Sequence, residues 1–169
     1  SVDSLMKMVD HVLVLSKPDW APTRSAYQEI DVAQLCRDVW SEVGDSLRNG
    51  PQFVLKTKGE SGRFLGDRVY LRLLLSNLLQ NAAKYGGRGE TIEVILDFEP
   101  DWLTIRVRDQ GIGIPETELE TVFEPFQRAS NAQDIGGSGL GLAVVAAAVK
   151  GLDGKIEVSS REGEGTCIT

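Results

Sequence analysis

Histidine, cysteine and long apolar runs are scarce in this chain. Its 169 residues hold one histidine, His11, and two cysteines, Cys36 and Cys167, which form no CxxC pair. A zinc site gathers about four ligands, largely cysteine and histidine, and this chain has too few to supply them. Two distant cysteines read as reduced core residues of a cytoplasmic protein. The longest apolar stretch, LGLAVVAAAV, is about half of the roughly 20 residues that span a bilayer, so these residues are expected to make no membrane contact. Positive charge is short as well: 18 basic against 25 acidic residues leave a net charge of −7. That argues against nucleic acid, whose phosphates need clustered Lys and Arg. An anionic ligand must then be met by local donors.

What is present suits one soluble domain, with 41% hydrophobic and 25% charged residues. Residues 1–17 place Leu5, Met8, Val9, Val12 and Leu13 at helical spacing until Pro18, and a Pro-containing connector follows. From Tyr27, YQEI suits a strand, and Asp31 with Gln34 resembles a capping box that opens a helix burying Val32, Leu35, Cys36, Val39, Val43 and Leu47. PQFVLKTKG is strand-like, and FLGD leads from a strand into a long helix ended by Gly86, Gly87 and Gly89. TIEVILDFE and DWLTIRVRD alternate, which predicts a hairpin closed at Pro100–Asp101; GKIEVSS and GTCIT predict a second, turning at REGEG. The expected class is α+β: a two-layer α/β sandwich whose mixed, mostly antiparallel sheet is covered on one face by helices. The chain stops inside what is expected to be its last strand.

Three constellations carry chemistry. In SNLLQNAAKY, Asn77, Asn81 and Lys84 fall within a helical sector of roughly 60°, with Tyr85 between them and the leucine face. Amide oxygens are hard ligands suited to Mg²⁺, lysine can meet a phosphate, and tyrosine can contact a base. In RDQGIGIP, alternation turns Asp109 inward with Ile105 and Val107, where a carboxylate needs a donor such as an exocyclic amino group or a turn amide. Gly111 and Gly113 permit close backbone approach. In GGSGLGLAVV, Gly137, Gly139 and Gly141 precede an apolar helix and offer free N–H groups to an anion. Taken singly, each has a plainer reading: a solvated helix face, a turn capped by Asp109, a linker into a helix. No GxGxxG, GK[ST], HRD or DFG pattern occurs, which removes the Rossmann, Walker and protein-kinase signatures.

In order and spacing, NLLQNAAKY, DQGIGIP, FEPFQRA, GGSGLGLAV and the terminal GEGT resemble the nucleotide-binding boxes of the histidine kinase catalytic domain. The resemblance covers residues 27–169 and implies the ATP-binding fold shared with gyrase B, MutL and the large heat-shock chaperone. By matching position it implies Asn81 as Mg²⁺ ligand, Asn77 as a second polar contact, Lys84 as phosphate contact and Tyr85 along the nucleotide. Asp109 resembles the acceptor of the adenine amino group, with Gly111 and Gly113 on the pocket floor and Thr166 near the adenine. Gly137, Gly139, Leu140 and Gly141 match the phosphate-facing run. Phe123 and Phe126 match the aromatic box that anchors a lid over residues 127–137, and Arg128 a phosphate contact. Asn77, Lys84 and Arg128 are thus the expected catalytic residues, and ATP and Mg²⁺ the cofactors.

The resemblance also implies a division into the end of a dimerisation and phosphoacceptor helix (1–17), a linker (18–26) and the catalytic domain (27–169). The implied partners are the phosphoacceptor domain of the same protein, a response-regulator receiver domain and a second copy in a homodimer. The implied setting is cytoplasmic, compatible with an inner-membrane anchor elsewhere. His11, followed by Val12 and Leu13, departs from the family's phosphoacceptor motif. An ATPase of the same fold is the alternative; such relatives carry a glutamate base one turn before the Mg²⁺ asparagine, where this chain has Asn77. A nucleotide-sensing module without transfer activity is a third.

Overall fold

The alternating runs TIEVILDF and LTIRVR form the middle of a five-stranded sheet. In the computed structural model, which describes residues 26–44, 50–59, 62–87 and 89–169, the chain runs as follows. It forms β1 (Tyr27–Asp31), α1 (Val32–Gly44), β2 (Gln52–Lys58), β3 (Arg63–Asp67) and α2 (Arg68–Tyr85), then β4 (Thr91–Phe98), β5 (Leu103–Arg108), α3 (Gly141–Gly151), β6 (Val158–Arg161) and β7 (Gly165–Ile168). The helix expected over residues 1–17 with His11, the connector up to residue 25, and Leu47 lie outside the described residues.

The sheet order is β2–β4–β5–β7–β6. β4 and β5 pair antiparallel from Glu93↔Arg108 to Phe98↔Leu103, and across the Pro100–Asp101 turn the Glu99 N–H donates to the Trp102 carbonyl at 2.9 Å. β6 and β7 make the second expected hairpin. β2 lies parallel to β4, because the chain between them crosses over through β3 and α2. β1 and β3 stand apart as a two-stranded antiparallel ribbon. The sheet is therefore mixed and mostly antiparallel, as expected.

Alternation turns Ile92, Val94, Leu96 and Phe98 of β4 into the core, where the helices meet them. α1 contributes Val32, Leu35, Cys36, Val39 and Val43, and its Trp40 stacks on Phe53 of β2 with ring centroids 4.8 Å apart. Only half of the expected capping box forms. The Gln34 N–H donates to Asp31 Oδ1 at 2.8 Å, but the Gln34 side chain turns away to Asp38 Oδ1, also at 2.8 Å. A charged acceptor one turn along makes the stronger bond.

α2 begins where Asp67 accepts the N–H groups of Val69 at 2.8 Å and Tyr70 at 3.4 Å. Leu71, Leu74, Leu75, Leu78 and Leu79 are buried along one face. Each is worth about 1.5–3 kcal/mol on full burial, which outweighs the poor helix propensity of the asparagines opposite. Lys84 sits in the last turn, where positive charge suits the helix dipole, and the Gly86 N–H closes on the Ala82 carbonyl at 2.8 Å. Among the described residues no helix is long and apolar enough to cross a membrane.

Candidate functional site

The polar face of α2 borders a cavity, with Lys84 at its exposed end. Asn77, Asn81, Lys84 and Tyr85 line this cavity of about 480 Å³, closed on other sides by Asp109, Gly113, Gly137, Gly139, Gly141 and Thr166. Stretches distant in the chain build it: the α2 face, the end of β5 with the turn after it, residues 118–133, the glycine-rich run and β7.

Asn77 is 5% exposed, and its Nδ2 donates to the Leu73 carbonyl one turn back at 2.9 Å. Asn81 has no hydrogen-bond partner among the described residues, so its amide is available to a ligand. Gly141, the first residue of α3, lies against both amides. A Cβ there would stand 3.2 Å from Asn81 Nδ2, 3.3 Å from Asn81 Oδ1 and 3.5 Å from Asn77 Oδ1. No side chain caps α3, so its first N–H groups and the positive end of its dipole meet the cavity where Gly141 lines it. Lys84 joins the same corner: its Nζ donates to Tyr85 Oη at 2.8 Å, lies 4.5 Å from that ring's centroid and packs directly against Gly137.

At the other end, the β5–β7 register places Arg108 opposite Cys167 and so brings Asp109 beside Thr166. Asp109 donates its N–H to the Thr166 carbonyl at 2.9 Å, and its Oδ1 accepts from Gly111 at 2.9 Å and Thr166 at 3.3 Å. Oδ2 has no partner among the described residues. The residue is 8% exposed. Burial pushes its carboxyl above the usual aspartate range, and the two backbone N–H groups offset part of that. Thr166 is held in turn, its Oγ1 2.9 Å from Ser160 Oγ. Gly113, at φ +64°, is pressed so close to the β6–β7 turn that a Cβ would stand 2.0 Å from the Arg161 carbonyl oxygen.

Some expected residues are elsewhere. Gly111 is not on the cavity wall; it packs against the Tyr85 carbonyl, where the neighbouring Ile112 N–H also bonds at 3.1 Å, and so ties the Asp109 turn to the end of α2. Leu140 is 1% exposed and belongs to the core. Phe123 is half-buried off the cavity wall, and the Phe126 ring is 70% exposed, its N–H rather than its ring making the anchor, to the Gly139 carbonyl at 3.0 Å. Arg128 lines the cavity, but its Nη2 donates to the carbonyls of Ala132 at 2.6 Å, Gln133 at 2.9 Å and Ile135 at 2.9 Å. Pattern reading passed over three residues: Glu118 lines the cavity, while Asn131 and Ser160 brace its wall through the Gly113 carbonyl and the Ile114 N–H. Each is a lone polar residue in a polar stretch, with no spacing to mark it.

Residues 66–169 match the family described as histidine kinase-, DNA gyrase B-, and HSP90-like ATPase. The chain belongs to this ATPase family, as the ATP-binding domain of a sensor histidine kinase. The sensor histidine kinase WalK of Bacillus subtilis (strain 168) is 39% identical over 171 residues, covering 99% of this chain and 28% of WalK. The sensor-like histidine kinase SenX3 of Mycobacterium tuberculosis (strain ATCC 25618 / H37Rv) is 33% identical over 164 residues, 96% of this chain and 40% of SenX3. The chain thus spans well under two thirds of the curated relatives it matches. The solved catalytic domain of histidine kinase ThkA superposes with a TM-score of 0.72 at 28% identity, over 84% of this chain and 91% of that one.

In this histidine-kinase domain two amides, those of Asn77 and Asn81, meet at the Gly141 end of the cavity. No group of three or more His, Cys, Asp or Glu residues stands ready for an ion among the described residues. The unpartnered Asn81 amide suits a hard cation that arrives with a polyphosphate and keeps most of its own water.

Proposed function

We propose that the cavity binds ATP with Mg²⁺, and that the domain passes the γ-phosphoryl group to a histidine on a phosphoacceptor domain, in two-component signalling. Asn77 carries this reading. A water-activating base belongs one turn before the metal asparagine, and here that position is an amide whose Nδ2 already donates to the Leu73 carbonyl. An amide cannot take a proton from water, whereas an acceptor histidine is itself the nucleophile. ATP hydrolysis as the principal activity is disfavoured on the same ground.

In this reading Asp109 receives the adenine amino group on Oδ2, with its geometry set by Gly111, Gly113 and Thr166. Tyr85 lies along the nucleotide. Asn81 holds Mg²⁺, Asn77 supports it, and the bound ion supplies charge neutralisation for the phosphates. Lys84, the N–H groups around Gly137, Gly139 and Gly141, and the open end of α3 meet the phosphate oxygens. For Arg128 to reach a phosphate it must release at least part of its hold on the lid carbonyls. Leu140 serves by anchoring the glycine run in the core.

The proposed organisation is residues 1–17 as the end of a phosphoacceptor helix, 18–26 as linker and 27–169 as catalytic domain. The phosphoacceptor domain, a receiver domain and a second copy are the partners, in a cytoplasmic setting compatible with a membrane anchor elsewhere. The test is radiolabelled ATP with this chain alone, with a separate phosphoacceptor domain, and with that domain's histidine replaced. We expect no label on the chain alone and slow transfer to the intact acceptor, because separation forfeits an effective concentration in the millimolar range. Label on His11, or rapid ATP hydrolysis by the chain alone, rejects the reading.

A further inference from the structure

The segment from Arg128 to Ile135 is fastened in two ways. Within itself, the Arg128 guanidinium gathers the carbonyls of Ala132, Gln133 and Ile135. Outward, the Ser130 N–H donates to Glu118 Oε2 at 2.9 Å, and Asn131 Nδ2 donates to the carbonyls of Ile112 at 3.3 Å and Gly113 at 3.1 Å. Two carbonyl acceptors determine which way this amide points. The wall that they belong to is fixed: the Gly163 N–H also bonds the Ile112 carbonyl at 2.8 Å, and the Ile114 N–H bonds Ser160 Oγ at 2.8 Å. Ala132 is the one fully buried side chain of residues 127–137, so little apolar packing holds the segment down.

Two atoms complete the picture. Asn131 Oδ1 and Arg128 Nε are sealed from solvent with no hydrogen-bond partner, and they are the only such side-chain atoms among the described residues. A buried polar atom without a partner carries its full desolvation cost. Opening the segment would hydrate both, so the fastened arrangement is held by Asn131 Nδ2 and, through these two orphans, poised to let go.

We propose that Asn131 is the latch of the cavity's lid, a positioning residue that ties residues 128–135 to the Ile112–Gly113 carbonyls and sets how long a nucleotide stays bound. The residence-time part rests on the ATP reading above; the latch itself does not. Asn131→Asp puts an oxygen where the donor was, facing two carbonyl oxygens, and Asn131→Ala removes the amide. Both lie in a surface segment away from the main core and leave folding intact.

The experiment uses the 169-residue chain with each variant. Dissociation of a fluorescent ATP analogue with Mg²⁺ is followed by displacement, and backbone hydrogen exchange is measured without nucleotide. We expect dissociation to quicken about tenfold, the effect of losing two neutral hydrogen bonds, with association changed less than about threefold. Exchange should rise over residues 127–137 and stay unchanged in β4 and β5. If the unmodified chain binds no adenine nucleotide, the ATP reading falls, yet exchange still decides the latch. Unchanged exchange in both variants overturns the latch. Faster exchange with unchanged dissociation overturns its control of residence time. A rise throughout the domain means that Asn131 supports general stability, and overturns the proposal too.

Discussion

Asp109 and Thr166 hold each other across the sheet: the Asp109 N–H bonds the Thr166 carbonyl at 2.9 Å, and the Thr166 N–H bonds Asp109 Oδ1 at 3.3 Å. The residues are far apart in sequence, and the pairing of β5 with β7 brings them together. It leaves the second carboxylate oxygen, Oδ2, free of protein partners among the described residues, which is what recognition of a single amino group requires.

Asp109→Asn should therefore weaken ATP about 10- to 100-fold, the loss of a charge-assisted bond. The unmodified protein should discriminate against GTP, which presents a carbonyl at that edge. Calorimetric titration of both nucleotides against both proteins checks this. Equal affinity for ATP and GTP would remove adenine recognition from Asp109.

The same carboxyl gives a pH dependence. Its folded pKa is raised above the ordinary 3.8, chiefly by burial. In the window from 3.8 up to the raised value the folded state binds more protons, so this group's contribution to stability falls as pH rises through it. Nucleotide affinity runs the other way, since the acceptor form is lost on acidification. Affinity should begin to drop above pH 3.8, and Asp109→Asn should abolish that dependence. A profile identical in the two proteins would assign the titration elsewhere.

Asn81→Ala should remove the Mg²⁺ dependence of ATP binding while changing thermal stability little, because the side chain makes no hydrogen bond to the described protein. Titrating a fluorescent ATP analogue with and without Mg²⁺ measures it. A mutant that keeps the full Mg²⁺ effect sinks the ligand assignment.

Gly141→Ala tests the fit between α3 and the amides. Alanine suits a helix, but its Cβ would press on Asn81 from 3.2 Å. We expect weaker Mg²⁺–ATP binding by about 5- to 20-fold, from roughly 1–2 kcal/mol of crowding, with little change in unfolding temperature. Undiminished binding would show that Asn81 and α3 do not act together.

Much of this was legible because periodicity is local. Alternation in TIEVILDF identified the buried face of β4, and the leucine spacing of α2 identified its core side, so Asn77, Asn81 and Lys84 had to share the other. The two glycine-rich runs marked where backbone comes close to something else. Strand direction was not legible: nothing in QFVLKTK says that it lies parallel to β4, nor in YQEID that it pairs with β3 outside the main sheet.

The sequence by itself determined which faces are apolar, where helices start and stop, and which polar groups face away from the core. Those properties follow from residue type and chain geometry over a few neighbours. Only the tertiary structure decided what each polar group meets. It gave Arg128 three lid carbonyls in place of an open cavity, sent Leu140 into the core and the Phe126 ring to the surface, and set Asn131 on the carbonyls of Ile112 and Gly113. A hydrogen bond depends on angles and ångströms between distant segments, and these exist only once the sheet order has been chosen.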